Sequence, residues 1–104
     1  PVTPETAAIL RERIAGWNGT PDVDWNWTTI SSYLDRFDRQ VAVNVAMFAP
    51  HGTIRLAVMG MENRPPTATE LEHMKRLLDQ AMREGAIGLS TGLTYAPCLW
   101  NYAR

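Results

Sequence analysis

Two histidines, one cysteine, and the hydroxyl and carboxylate side chains are the groups in this sequence that could support hydrolytic or metal chemistry. A zinc site draws several ligands from Cys, His, Asp or Glu, usually as closely spaced pairs. His51 and His73 stand far apart in the chain, neither with a paired ligand beside it, and Cys98 lies well beyond both. No metal-ligand set and no catalytic residue is therefore assigned within this chain. His73 is expected on the solvated side of a helix, and Cys98 is expected to behave as a small inert apolar residue. Ser90 and Thr91 are expected to support the backbone, not to act as nucleophiles. The glycine-rich stretch from Gly85 to Gly92 is no phosphate loop, because no lysine follows it.

The elements that would position these groups read as helices and buried strands. Thr3 can cap a first helix with Pro4 at its first position, and Ala7, Leu10 and Ile14 share one face. Gly16, then Gly19 to Asp22, should end it. A second short helix is expected from about Thr28 to Asp38, with Ile30, Tyr33, Leu34 and Phe37 inward. Trp17, Trp25 and Trp27 are most simply core or inter-helix anchors. The nearly continuous apolar run from Val41 to Phe48 predicts a strand buried on both faces, stopped by Ala49-Pro50-His51-Gly52. A short helical stretch should cover Ile54 to Met59. The third main helix carries a capping box, Thr67 with Glu70, and an apolar face of Leu71, Met74, Leu77, Leu78, Ala81 and Met82. Gly85 suits a left-handed residue at its end, and Ala86 to Ser90 predicts a second buried strand. Strand, crossover and strand in this order are expected to pair in parallel and to leave open sheet edges.

Composition sets the outer bounds. The chain has 104 residues, the size of one domain, and its 45% hydrophobic content is enough for a core. A net charge of −1, with the basic residues scattered, argues against a nucleic-acid surface. No apolar stretch approaches the roughly 20 residues that cross a bilayer. The lone cysteine rules out an internal disulfide and suits a reducing compartment, and no signal peptide is visible, so a cytoplasmic location is expected. The chain begins at Pro1 with no methionine and stops at Arg104, so it is expected to be a fragment of a longer product.

An ordered series of motifs gives the chain a more specific character. Trp25-x-Trp27 leads to Tyr33-Leu34, then Val43-Asn44-Val45-Ala46, then His51-Gly52-Thr53-Ile54-Arg55 and Val58-Met59-Gly60. Arg64-Pro65-x-Thr67 and Glu70-Leu71-x-x-Met74 follow, and then the run from Gly85 through Ser90, Thr91, Gly92 and Tyr95 to Pro97. The series resembles the D-aminoacylases, or N-acyl-D-amino-acid deacylases, of the amidohydrolase superfamily. Two positions depart from that family: Pro50, where glycine is usual before the histidine, and Cys98-Leu99-Trp100, where a glycine usually follows the proline.

The resemblance implies an α/β fold, a partial (β/α)8 TIM-barrel segment in which a strand-helix-strand unit is preceded by two helices. Residues 1–104 would be a single fragment of the catalytic barrel domain, with 1–39 a helical lead-in and 40–95 the strand-helix-strand unit. The parent would be a zinc-dependent hydrolase that deacylates N-acyl-D-amino acids at a linear amide bond. Its zinc ligands are expected outside this segment, so the isolated chain is expected to be inactive and to hold no zinc. Chemistry in such barrels sits at the C-terminal strand ends, which makes Tyr95, His51 and Ser90 the candidate substrate-binding residues. His51 could equally cap the following helix or satisfy a loop carbonyl, and Tyr95 could pack under a loop. Expected partners are the N-acyl-D-amino acid substrate and the remainder of the barrel, or another copy through the open sheet edges, with no nucleic acid and no membrane. The alternative is a non-catalytic α/β module that self-associates or binds a partner.

Overall fold

Helix α1 (Pro4–Asn18) opens the computed structural model, which describes residues 3–92. The helix starts where Thr3 and Thr6 cap one another. Thr3 Oγ1 accepts from the Thr6 amide at 3.3 Å, and Thr6 Oγ1 accepts from the Thr3 amide at 2.7 Å. It runs through Gly16, which was expected to break it, and ends at Gly19. An isolated glycine weakens a helix by only about 1 kcal/mol relative to alanine, too little to stop it here. Thr6 and Ala7 are buried, while Leu10 and Ile14 are half-buried.

Helix α2 (Ile30–Leu34) begins one residue after Thr29, whose hydroxyl accepts from the Ser32 amide at 3.0 Å. It tightens into a 3-10 turn over Asp35–Phe37, which completes the second expected helix. A contact between residues far apart in the chain anchors it: the Ile30 amide donates to Glu84 Oε2 at 2.9 Å, tying the start of α2 to the end of the helix over Ala68–Arg83.

The expected strand over Val41–Phe48 needs correction. Strand β1 is Ala49–Pro50, and most of the valine run before it lies outside any ladder. A strand is held by bonds to a neighbour, and β2 (Leu89–Ser90) reaches only its end. The Ile87 amide donates to Met47 O at 2.9 Å and the Ala49 amide to Gly88 O at 2.8 Å. Alternate residues of a parallel strand bond to the same neighbour, so Pro50 falls where an N–H would point away from β2. That is why proline, expected to end the strand, sits in it. The pairing is parallel, with Ala49 beside Leu89 and Pro50 beside Ser90.

Helix α3 (His51–Met59) follows β1 without a loop, three residues earlier than the expected start at Ile54. It packs on α4 (Ala68–Arg83), and the two helices with β1 build the core: Ala49, Ile54, Met59, Met74, Ala81 and Ala86. The α4 cap forms as expected. Thr67 Oγ1 accepts from the Glu70 amide at 3.2 Å, and Glu70 Oε2 accepts from the Thr67 amide at 2.7 Å. Arg64 forks onto the same carboxylate at 2.6 and 2.8 Å. Those bonds, the guanidinium's first and the amide's next, hold Glu70 down at about 2. On the apolar face of α4, Met74 and Ala81 are buried, Leu77 and Leu78 half-buried, and Leu71 and Met82 remain exposed at its margins.

Gly85 and Gly88 fit the chain where a side chain would not. Gly85 has φ +108 at the turn out of α4, and an added Cβ would lie 3.3 Å from Leu34. At Gly88 a Cβ would come within 3.1 Å of the Phe48 ring, so only a small residue fits where this segment packs on Phe48. Two core-forming helices beside a two-stranded parallel sheet make this a mixed α/β unit. The sheet is only partly covered, since Leu89 of β2 is 46% exposed, and the segments leading into the strands are open too, with Val43 72% and Ile87 59% exposed.

Candidate functional site

Parallel pairing places the C-terminal ends of β1 and β2 side by side, and open parallel sheets bind ligands at that end. Because Pro50 stands in register with Ser90, the next residues on each chain, His51 and Thr91, also become neighbours. His51 Nδ1 and Thr91 Oγ1 are 3.3 Å apart, with the donor set by the imidazole tautomer. Two of the candidate positions, His51 and Ser90, are thus brought to one edge of the fold. The third, Tyr95, lies outside the described residues.

His51 needs one correction of position. It is the first residue of α3, not the tail of a strand, because Pro50 already has the extended backbone of a helix N-cap. The side chain is half-buried. Partial desolvation, with the charge of Arg55 one helical turn away, pushes the imidazole below its ordinary value and favours the neutral ring. A neutral ring bonded through Nδ1 keeps Nε2 for a ligand, and among the described residues no protein group holds it. Such an atom can accept or donate one hydrogen bond.

Ser90 is exposed in β2, within Gly88-Leu89-Ser90-Thr91-Gly92. This run has the Gly-x-Ser-x-Gly spacing of a hydrolase nucleophile elbow, a spacing that the expectation for Ser90 wrongly counted as absent. The elbow requires more than spacing: a histidine must bond the serine hydroxyl. Here the His51 bond goes to Thr91, so the match does not make a serine–histidine couple. His73 is exposed on α4, as expected. Among the described residues no three of His, Cys, Asp and Glu gather closely enough to hold a metal.

Arg55 is the residue near this edge whose role the sequence reading missed. It is only 5% exposed. Its Nη2 donates to Glu62 O at 2.9 Å and Arg64 O at 2.8 Å, and Nη1 meets Met59 Sδ at 3.0 Å. The guanidinium therefore fixes the turn between α3 and α4 while its charge bears on His51. The available signal was a single arginine inside an otherwise apolar helical run from Ile54 to Met59, since buried charge persists only where it is hydrogen-bonded.

Comparison with known proteins adds a direct clue. Over 74 residues the chain is 39% identical to a D-aminoacylase of Alcaligenes xylosoxydans xylosoxydans, a match covering 70% of this chain and 15% of that protein. It is 46% identical over 80 residues to an N-acyl-D-aspartate deacylase of the same organism, covering 76% of this chain and 16% of the relative. An N-acyl-D-glutamate deacylase of that organism matches at 44% over 55 residues, 53% of this chain and 11% of the relative. The chain thus spans only a small part of the length of these relatives. No protein-family model matches it, and no solved structure does.

Proposed function

We propose, from the premise that this chain is similar to a segment of the D-aminoacylase and N-acyl-D-amino-acid deacylase family, that it is one part of the catalytic barrel of such a hydrolase. The observation that carries this reading is the shared identity with three deacylases that differ in their named substrates. The parallel β1–β2 pair is consistent with it, as is the clustering of polar groups at the strand ends. The two strands would be the third and fourth of a (β/α)8 barrel, with 1–39 the lead-in and 40–95 the strand-helix-strand unit.

In this reading the parent cleaves the linear amide of an N-acyl-D-amino acid to give a carboxylate and a free D-amino acid. His51 and Ser90 would face the substrate, together with Tyr95, whose phenol would donate to the developing oxyanion or to the substrate carboxylate. The described residues do not fit a zinc site, since His51 is engaged by Thr91 and His73 stands alone on α4. The zinc proposed for the parent therefore takes ligands from other segments. The remaining barrel strands would cover the exposed side chains of Val43, Val45 and Ile87 and give the valine run its missing ladder partners. No helix among the described residues is long and apolar enough to cross a membrane, and a cytoplasmic location is part of the same proposal.

The protein made from the native gene should release free amino acid from N-acetyl-D-amino acids and leave the L enantiomers intact. The isolated 104-residue chain should release neither and bind no stoichiometric zinc. Absence of release by the native product, or equal release from both enantiomers, would count against the deacylase reading.

A further inference from the structure

A cavity of about 430 Å³ lies between α1, the segment that follows it, β1 and the two core helices. Its size is within the range of small-molecule pockets. Leu10 and Ile14 border it from α1, Trp25 and Trp27 from the following segment, and Ile54 and Leu77 from α3 and α4. The aromatic rings of the wall pack on one another. Trp25 and Trp27 stack with centroids 5.2 Å apart, and Trp27 meets Tyr33 edge-on at 5.3 Å. Neither His51 nor Thr91 borders this space, although Ala49 and Pro50 of β1 do, so it adjoins the strand-end site without including the His51–Thr91 pair.

The charge of the lining narrows the choice of guest. Among the described residues Arg11 is the one cation bordering the cavity, and no aspartate or glutamate among them borders it, although the chain carries 11 acidic residues. The guanidinium sits over the Trp25 ring, 5.8 Å from its centroid, with no carboxylate partner among the described residues. Stacking on an indole leaves the in-plane N–H donors of an arginine available for a carboxylate. A largely apolar chamber with this charge and a few hydroxyl and amide side chains gives a neutral guest burial and ordinary hydrogen bonds, disfavours a cation, and gives an anion a charge-assisted hydrogen bond as well. We infer that the cavity binds a small monocarboxylate with an apolar body, its carboxylate on Arg11 and its tail among the aliphatic and aromatic walls. The inference does not rest on the deacylase reading.

Decanoate and the uncharged decanol serve as probes, titrated by calorimetry into the native gene product, Arg11→Gln and Ile14→Trp. Decanoate should bind saturably and one-to-one, and more tightly than decanol. Loss of the charge in Arg11→Gln should weaken decanoate by about tenfold and leave decanol unchanged. The bulk in Ile14→Trp should block both probes while the thermal melt stays cooperative. Thr53→Leu, which fills the cavity from α3, replaces that variant if it fails to fold. Absence of saturable decanoate binding to the native protein overturns the inference, as does binding unchanged by Arg11→Gln or retained with the cavity filled. Enantioselective deacylation is read separately, so either result can fail without the other.

Discussion

Replacing Arg55 by alanine should destabilise the fold by about 3 kcal/mol, because it removes a buried donor set and leaves its acceptors behind. The guanidinium is 5% exposed and gives two bonds of 2.8 and 2.9 Å to the carbonyls of Arg64 and Glu62. Those carbonyls lie on the turn that leads into α4, so their loss of a partner would loosen the segment carrying the Thr67 cap and the Arg64–Glu70 fork. Alanine would also vacate the volume of the long side chain against Met59. Lysine in the same place keeps a charge and one donor group but not the planar fork that reaches two carbonyls, so Arg55→Lys should fall between the two. Urea denaturation of the three proteins measures the effect. A change for Arg55→Ala within about 0.5 kcal/mol of zero, the range usual for surface substitutions, would show that this arginine does not organise the turn.

Truncating Ile54 to alanine should cost a similar amount, about 3 kcal/mol. Ile54 is 5% exposed and belongs to the cluster with Ala49, Met59, Met74, Ala81 and Ala86 that joins α3, α4 and β1. Three of those neighbours are alanines, which have no side-chain atoms to move into the space vacated. One side of Ile54 already borders the cavity near α1, so some of its surface has no neighbour to lose, and the cost should stay below the upper end for buried isoleucine. Ile54→Val, which removes a single methylene, should cost about 1 kcal/mol by the same reasoning. The denaturation midpoints of the two variants would separate a packed core from a loose one. Near-equal midpoints for both variants and the parent would mean that α3 is not packed on α4 as described.

Local signals in the sequence were legible where a short-range bond decides the structure. Thr3 and Pro4 mark the start of α1, and Thr67 with Glu70 marks the start of α4, because each cap is closed by residues three apart. Met74 and Ala81 fall inward as the helical spacing requires. The valine run was misplaced for the opposite reason. Its propensity is that of a strand, yet a ladder needs a partner, and β2 supplies bonds only near Met47 and Ala49. The start of α3 was set too late because Pro50 reads as a break, whereas its extended backbone serves as the N-cap of the helix that begins at His51. At the candidate site, the barrel resemblance brought His51 and Ser90 forward together, as residues at the C-terminal ends of neighbouring strands. What the sequence did not show is the hydrogen bond of His51 to Thr91, which depends on the register of a two-residue pairing separated by two helices. The lone arginine in the apolar run from Ile54 to Met59 marked Arg55 as a residue that needs partners, but the partners are main-chain carbonyls on a turn, which residue types do not identify.

The exposed faces of Val43 and Ile87, with the small share of each deacylase that this chain spans, make one measurement decisive: the intact mass of the product made from the native gene. A complete barrel of this type takes about 250 residues, so the account predicts a mass far above the 11.7 kDa of this chain. A native product of 11.7 kDa would contradict it, leaving the apolar strand faces to be covered by a second copy or another partner and moving the reading to a self-associating α/β module.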